Sequence, residues 1–350
     1  MDQLAFICQV VDDRDPILAS VAEWVKNFAR HPRVGKMVVF TLKTGFFDSP
    51  PNVEVVVFRG KNHLATTVNF YREVGKRLRN IDYFFVHMGG PYPIWLLPFK
   101  LLMNKPIYQW KTHPHIKLEM KISARFCDTK VFTATASSFP MPLSKVKIVG
   151  HGIDVRKFSA KNFPKTGELI AVGRVAPVKQ FESAIELLHY CQREHRVTYQ
   201  LDIYGPVLEK DEPYRRKLCQ LIADRGLSDQ VFFRGVVAHD QMPDLLSQYR
   251  VCLSFNKGAL DKSVLEAMAC CLPVVTPNRC VAEILPRDLQ ELLIVPETDL
   301  AKQADQLVRL LMMNKVDSSV LGCRLRQIVE NGHNIDQLVN KIVGEINVRH

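Results

Sequence analysis

Two short runs in the second half of the chain carry residues suited to holding a phosphorylated ligand. In VGRVAPVKQF, residues 172–181, a β-rich run ends at Gly173, Arg174 and Lys179 follow, and a helix opens near Gln180. A planar guanidinium and a compact ammonium beside a helix N-terminus make a site for a diphosphate. The ordinary alternative is an exposed Arg and Lys flanking a turn. In SFNKGALDKSVLEAMACCLPVV, residues 254–275, Asp261 reads as an N-cap. The backbone N–H groups of the Gly258-Ala259-Leu260 turn and of the first helical turn are therefore expected to face an anion. Glu266 follows one turn later. A phosphate would repel it, but an ionised carboxylate accepts two hydroxyl hydrogen bonds, as from a ribose diol. Its alternative is a helix acid that merely complements the dipole.

These runs need rigid elements behind them. Apolar, β-rich runs alternate with helical periodicity along almost the whole chain. LAFICQVV, KMVVFTL, VEVVVFRG, YFFVHMG, PIYQWKT, KVFTAT and KVKIVG occur in the first half, and ELIAVG, YQLDIYG, VFFRG, RVCLSF, PVVTP and ELLIV in the second. Amphipathic stretches separate them, such as LATTVNFYREVGKRLR and QFESAIELLHYCQRE, in which Phe181, Ala184, Leu188 and Cys191 recur at helical spacing. Continuous apolar strands separated by helices imply parallel sheets buried on both faces, hence α/β, Rossmann-like, doubly wound domains. The expected division is residues 1–150, residues 151–330, and a helical segment 331–350 packing back on the first domain. The polar, Lys-rich run 151–168 reads as the linker, and the last helix is expected over about Asn334 to Val348. Two such domains would face each other across a cleft, each offering the carboxyl ends of its strands.

Length and composition narrow the function. The chain has 350 residues, and its nine cysteines form no C-x-x-C pair and no Cys/His cluster at zinc spacing. That pattern suits a reducing cytosol and argues against a structural metal. The N-terminus shows no signal-peptide pattern, and the longest apolar stretch, YPIWLLPFKLLM, is too short to span a bilayer. No G-x-G-x-x-G or G-x-x-x-x-G-K-[ST] pattern follows a first strand, which weakens dehydrogenase and P-loop readings. The net charge of +11 is uneven: residues 1–150 hold 21 Lys and Arg against 11 Asp and Glu, and residues 151–350 hold 26 against 25. Lys100, Lys105, Lys111, Lys117, Lys121, Arg125 and Lys130 crowd one stretch among Trp95, Phe99, Tyr108 and Trp110. The stretch suits an anionic partner such as a membrane surface, or else a solvated face. A nucleic-acid partner is not expected, because nothing beyond the charge supports it.

Taken in order, GRVAPVKQF, YGP, FRGVV and GALDKSVLEAMACCLPVV resemble the donor domain of retaining GT-B glycosyltransferases, glycosyltransferase family 4, the glycogen-synthase-like group. The resemblance covers about residues 151–300 and reaches the first half more weakly, through HGID and YQWKTHPH. It implies a sugar nucleotide as donor, with UDP, GDP and ADP unresolved, no tightly bound cofactor and no metal. It also implies front-face attack by an acceptor hydroxyl with retention. Arg174 and Lys179 then hold the donor diphosphate, Glu266 binds the ribose, and Val236 and Val237 lie along the base. Gly173, Gly205, Gly258, Ala259, Leu260, Asp261 and Ser263 complete the expected donor site. His113 is the family's histidine near the reacting sugar and is assigned with Arg174 and Lys179 to catalysis, with His115 as the fallback. On the acceptor side stand Asp13, Arg14, His87 and Gly89, the last as part of a Gly89-Gly90 pair that permits close backbone approach. Asp13-Arg14-Asp15 imitates a metal-binding D-x-D, but Asp15-Pro16 also makes an N-cap pair, which is the preferred reading.

Two positions depart from the family pattern. Gly258 stands where the first acid of its E-x7-E motif belongs, and Cys271 where a helix-ending glycine belongs. The expected product is a polysaccharide or glycolipid, made in the cytoplasm with peripheral attachment at the inner face of the membrane. The rivals are a catalytically degenerate scaffold and a nucleotide-sugar epimerase.

Overall fold

The computed structural model describes residues 1–161 and 165–346, which form two compact units. The first contains Met1–Gly152 together with the segment beginning at Ile335, and the second contains Ile153–Asn334.

In the first unit, seven strands form one sheet: β1 (Asp2–Val11), β2 (Val34–Thr44), β3 (Val53–Val57), β4 (Tyr83–His87), β5 (Ile107–Trp110), β6 (Lys130–Thr133) and β7 (Val146–Ile148). They lie in the order β3-β2-β1-β4-β5-β6-β7, and every neighbouring pair is parallel. The reversal of direction at β1/β4 is the topological switch of a doubly wound sheet. All seven apolar runs of the first half are strands. Burial explains the absence of alternation, since Leu4 to Cys8 and Tyr83 to Val86 are covered on both faces. One face packs Trp24 and Phe28 of helix Ala19–Arg30 on Phe85, and the other packs Phe70 and Val74 of helix His63–Arg77 around Phe40, Phe58 and Tyr92.

The second unit has five strands: β8 (Gly167–Val172), β9 (Leu201–Tyr204), β10 (Val231–Gly235), β11 (Tyr249–Leu253) and β12 (Val274–Val275), in the order β10-β9-β8-β11-β12, again all parallel. Phe181, Ala184, Leu188 and Cys191 are buried, as the spacing predicts.

Three expectations need correction. ELLIV is not a strand: helix Arg287–Leu293 takes most of it, buries Leu289 and Leu293 four residues apart, and leaves a single bridge from Ile294 to Thr276. The run 151–168, read as the linker, does hold the division at Gly152/Ile153, but it is packed instead of loose, although its residues 162–164 lie outside the described residues. Ile153, Val155 and Phe158 are buried, and the Arg326 guanidinium donates to the carbonyls of Val155, Phe158 and Ala269 at 3.0, 2.8 and 2.6 Å. Finally, the basic stretch 100–130 is not one surface. Lys111 is buried against Gln109, and Lys130 is tied to Glu345 at 2.7 Å.

The last helix is Ile335–Gly344, and its expected end at Val348 lies outside the described residues. Arg33 donates to the carbonyl of Val343 at 2.8 Å, which fastens this helix to the first unit. Among the described residues, no helix is long and apolar enough to cross a membrane.

Candidate functional site

The carboxyl end of the second sheet gathers the charged residues singled out from the sequence. β8 runs out at Gly173 and β9 at Gly205, both with positive φ, at 145° and 151°. A Cβ on Gly205 would stand 2.0 Å from the Gly173 carbonyl oxygen, and one on Gly173 would stand 2.8 Å from the Lys179 ammonium. The two glycines therefore let adjacent strand ends turn against each other and let Lys179 lie directly on the backbone. Arg174 leaves the same strand end and faces Asp211 at 3.5 Å.

Lys179 is paired with Asp261. Asp261 is the N-cap of helix Lys262–Ala269, with its other oxygen accepting from the Ser263 N–H at 3.3 Å. The Ser263 hydroxyl donates back to the carbonyl of Val172 at 3.2 Å, joining the helix start to β8. One carboxylate thus fixes both the helix start and the lysine.

Glu266 is buried. Lys262, one turn earlier, reaches it at 2.7 Å, and His239 reaches it at 2.8 Å. Burial alone would push its carboxyl up, but Lys262 and His239 outweigh that and hold it down at about 2. Lys157 sits 2.8 Å from the other ring nitrogen of His239. Lys262 in turn lies 3.2 Å from Nε2, so the ring stands between two ammonium groups. Glu266 is therefore held ionised at neutral pH, more specialised than an acid that merely offsets a dipole. Lys262 and His239 escaped the sequence reading. An i, i+4 Lys–Glu pair on a helix signals the first, whereas His239 arrives from a separate loop after β10 with no local signal. In the same loop Val236 is exposed and Val237 half-buried.

The turn before the helix differs from expectation. The Gly258 N–H does not face outward: it donates to the Asn256 side chain at 2.9 Å, while Asn278 donates to the carbonyls of Asn256 and Gly258 at 2.8 and 3.2 Å. The turn is held from within by two asparagines, which removes Gly258 from the amides available to an anion. At the other end of the helix, Cys271 has φ 58°, the left-handed conformation expected there. Leu272 and Cys271 donate to Ala267 and Met268 at 2.9 and 3.0 Å, a Schellman closure. Gly322 leaves the room this needs, because a Cβ there would lie 2.6 Å from the Cys271 carbonyl oxygen.

In the first unit the candidates are furnished differently. His113 follows β5 and is half-buried, with its Nδ1 enclosed and lacking a hydrogen-bond partner among the described residues. His115 is exposed, 6.3 Å away ring to ring. His87, at the end of β4, turns inward onto Trp24 at 4.8 Å, and burial pushes its imidazole down to about 3, so it is neutral. The space beside Gly89 is not open to a ligand: a Cβ there would strike the Tyr92 ring at 2.2 Å, and its carbonyl accepts from Gln109 at 3.0 Å. Asp13 pairs with Lys26 at 2.8 Å and Arg14 lies over the Phe46 ring at 4.1 Å. Asp15 accepts from the N–H groups of Ile17 and Leu18 at 2.9 and 2.7 Å, so it caps the turn that leads into helix Ala19–Arg30. Among the described residues, no group of three or more His, Cys, Asp or Glu is placed to hold a metal ion.

Residues 154–320 match the sequence family described as glycosyl transferases group 1. The matched segment lies within the second unit and spans most of it. Solved structures extend the likeness to the whole chain. HepE of Anabaena, in complex with UDP and glucose, superposes with a TM-score of 0.80 over 98% of this chain and 99% of its own, at 14% identity. Sucrose-phosphate synthase from Thermosynechococcus elongatus gives 0.80 over 98% of each chain at 15% identity. TarM of S. aureus gives 0.66 over 81% of this chain and 59% of its own at 17% identity. No curated protein sequence matches at a significant level. At these identities the likeness establishes architecture, and the chain has the GT-B fold. Arg174, Lys179, His239, Lys262 and Glu266 all lie within the matched segment.

Proposed function

We propose that the protein transfers a sugar from a nucleoside-diphosphate sugar to an acceptor hydroxyl, with retention at the anomeric carbon and without a metal. The observation that carries this is the grouping at the end of the second sheet, inside the matched domain, of two cations and one buried, ionised carboxylate. Arg174 and Lys179 hold the diphosphate, Glu266 accepts from the ribose hydroxyls, and Val236 and Val237 offer apolar surface to the base. HepE was solved with UDP-glucose, which makes that sugar nucleotide the first donor to test ahead of GDP and ADP sugars.

In this reading the bond from the anomeric carbon to the diphosphate oxygen breaks and a bond from the acceptor oxygen forms on the same face. The acceptor's proton passes to the departing phosphate oxygen. Negative charge grows on the diphosphate as it leaves, and the two cations, already fixed at the strand end, stabilise it without reorganising. His113, with an enclosed nitrogen lacking a partner, is assigned to a sugar hydroxyl. The first unit receives the acceptor, for which a polysaccharide or glycolipid precursor on the cytoplasmic face of a membrane fits the positive charge of residues 1–150. The test is release of free nucleoside diphosphate from a panel of sugar nucleotides, with and without acceptor.

One observation favours a second reading. Gly258 replaces an acid, and its amide is turned inward, so this turn offers the sugar less than expected. A protein retained for binding alone would take up nucleoside diphosphate yet release none from any donor.

A further inference from the structure

Three helical segments of the first unit connect β3 to β4, β4 to β5 and β5 to β6: His63–Arg77, Leu97–Met103, and Leu118–Ile122 continuing through the turn Ser123–Cys127. These connections all step the same way across the sheet, so right-handed crossover puts them on one face. Contacts join them, Tyr71 to Phe99 at 5.8 Å between rings and Lys100 to the carbonyl of Cys127 at 2.7 Å. Their inner sides are apolar, with Phe70, Val74, Met120 and Ala124 buried.

Their outer sides are apolar as well. Leu64, Val68 and Tyr71 form an exposed stripe at helical spacing, and Leu118, Ile122 and Phe126 form another. Between them Leu101 and Leu102 are 71% and 84% exposed. The positive charge gathers here too. Residues 61–80, 92–105 and 116–127 together hold ten Lys and Arg against two Glu, which is most of the charge excess of residues 1–150.

We propose that this three-helix face docks the protein on an anionic lipid surface, a reading that rests on the membrane part of the proposed function and names the residues responsible. Exposed leucines and a phenylalanine interleaved with cations match the boundary between acyl chains and acidic headgroups, with the lysine stems lying along the apolar layer. A protein partner fits less well, since lysine is depleted from the cores of such interfaces. The second unit supplies a contrast: Val316 and Val320 are also exposed on helix Lys315–Gly332, but without the cation excess.

Co-sedimentation of the full chain with phosphatidylcholine vesicles, with and without phosphatidylglycerol and at low and high salt, tests this. The wild type binds only the anionic vesicles, and salt weakens it. Each cation near such a surface is worth roughly fivefold in affinity. Reversing three, in Lys117→Glu/Lys121→Glu/Arg125→Glu, therefore weakens binding at least a hundredfold. Leu118→Ser/Ile122→Ser/Phe126→Ser weakens it tenfold or more, and Val316→Ser/Val320→Ser leaves it unchanged. Far-UV circular dichroism and thermal shift with UDP verify that each variant is folded. If the wild type binds and the two face variants bind equally well, this face is not the docking surface and the membrane reading survives. If the wild type binds neither vesicle, both fall. A wild-type dimer by light scattering that the apolar variant splits would give the face to a second copy and overturn the proposal.

Discussion

The carboxyl ends of the two sheets are built to the same plan and furnished in opposite ways. In the second unit each candidate side chain is held by another charge: Lys179 by Asp261, Arg174 by Asp211, Glu266 by Lys262 and His239. Among the described residues of the first unit, His87 and His113 are held by no such pairs: burial keeps His87 neutral, and His113 has an enclosed nitrogen with no partner. A site laced with ion pairs is arranged before any ligand arrives and suits one charged molecule of fixed shape. The first unit's end has the Asp13–Lys26 pair but leaves the enclosed nitrogen of His113 for a ligand to engage, which under the proposed function suits a sugar and a more variable acceptor.

The sharpest way to break this contrast is to remove a cation. Lys179→Ala is expected to lower turnover by two to three orders of magnitude with the fold retained, measured as nucleoside-diphosphate release; near-normal turnover would sink the assignment. Glu266→Gln tests the buried triad. It leaves the half-buried Lys262 ammonium without its counter-charge, and a loss of about 3 kcal/mol in denaturant unfolding is expected. Its pH dependence follows from sign. The folded carboxyl lies at about 2 against an ordinary 4.5, so the pairs contribute stability above pH 4.5 that disappears as pH falls toward 2. The gap between wild type and variant should close over that window, and a gap that widened in acid would contradict the pairing.

His113→Asn probes the other sheet. A loss of about tenfold or more in turnover is expected with the dissociation constant for UDP unchanged, and an equal change in both would move His113 into donor binding. The smallest effect is at the helix end. Cys271→Gly should raise stability by about 0.5–1 kcal/mol, because glycine adopts the left-handed conformation without strain. An unchanged or lower melting temperature would mean that the contact of Cys271 with the Gly322 helix is worth as much as the strain.

What the sequence could convey divides along the same line. Runs of Val, Ile and Phe announce parallel strands because both their faces are buried, and Asp261 announces a helix start because capping is a local event. ELLIV misled because an apolar run of that length suits strand and helix alike, and burial of Leu289 and Leu293 decided between them. Lys111 counted as surface charge, yet it lies inside the first unit, where the fold supplies Gln109 and Asp128 that no neighbouring sequence reveals. The reach of His239 to Glu266 from a separate loop and the clamping of the Gly258 carbonyl by Asn278 were illegible for the same reason, each depending on residues about 20 or more positions away, whereas the inward Gly258 amide answers to Asn256, two residues back.

The carboxylate of Asp261 has one further consequence. It caps a helix, and it is also a resident competitor for Lys179. On the proposed donor assignment, a diphosphate would share that ammonium, which has three donors, with an anion anchored beside it through the Ser263 N–H. Under that assignment the sharing would lower donor affinity and assist departure of the spent nucleotide, since the carboxylate stays in place to hold the lysine. The arrangement works as a return spring, in which a tighter grip on the donor would come at the expense of letting the product go.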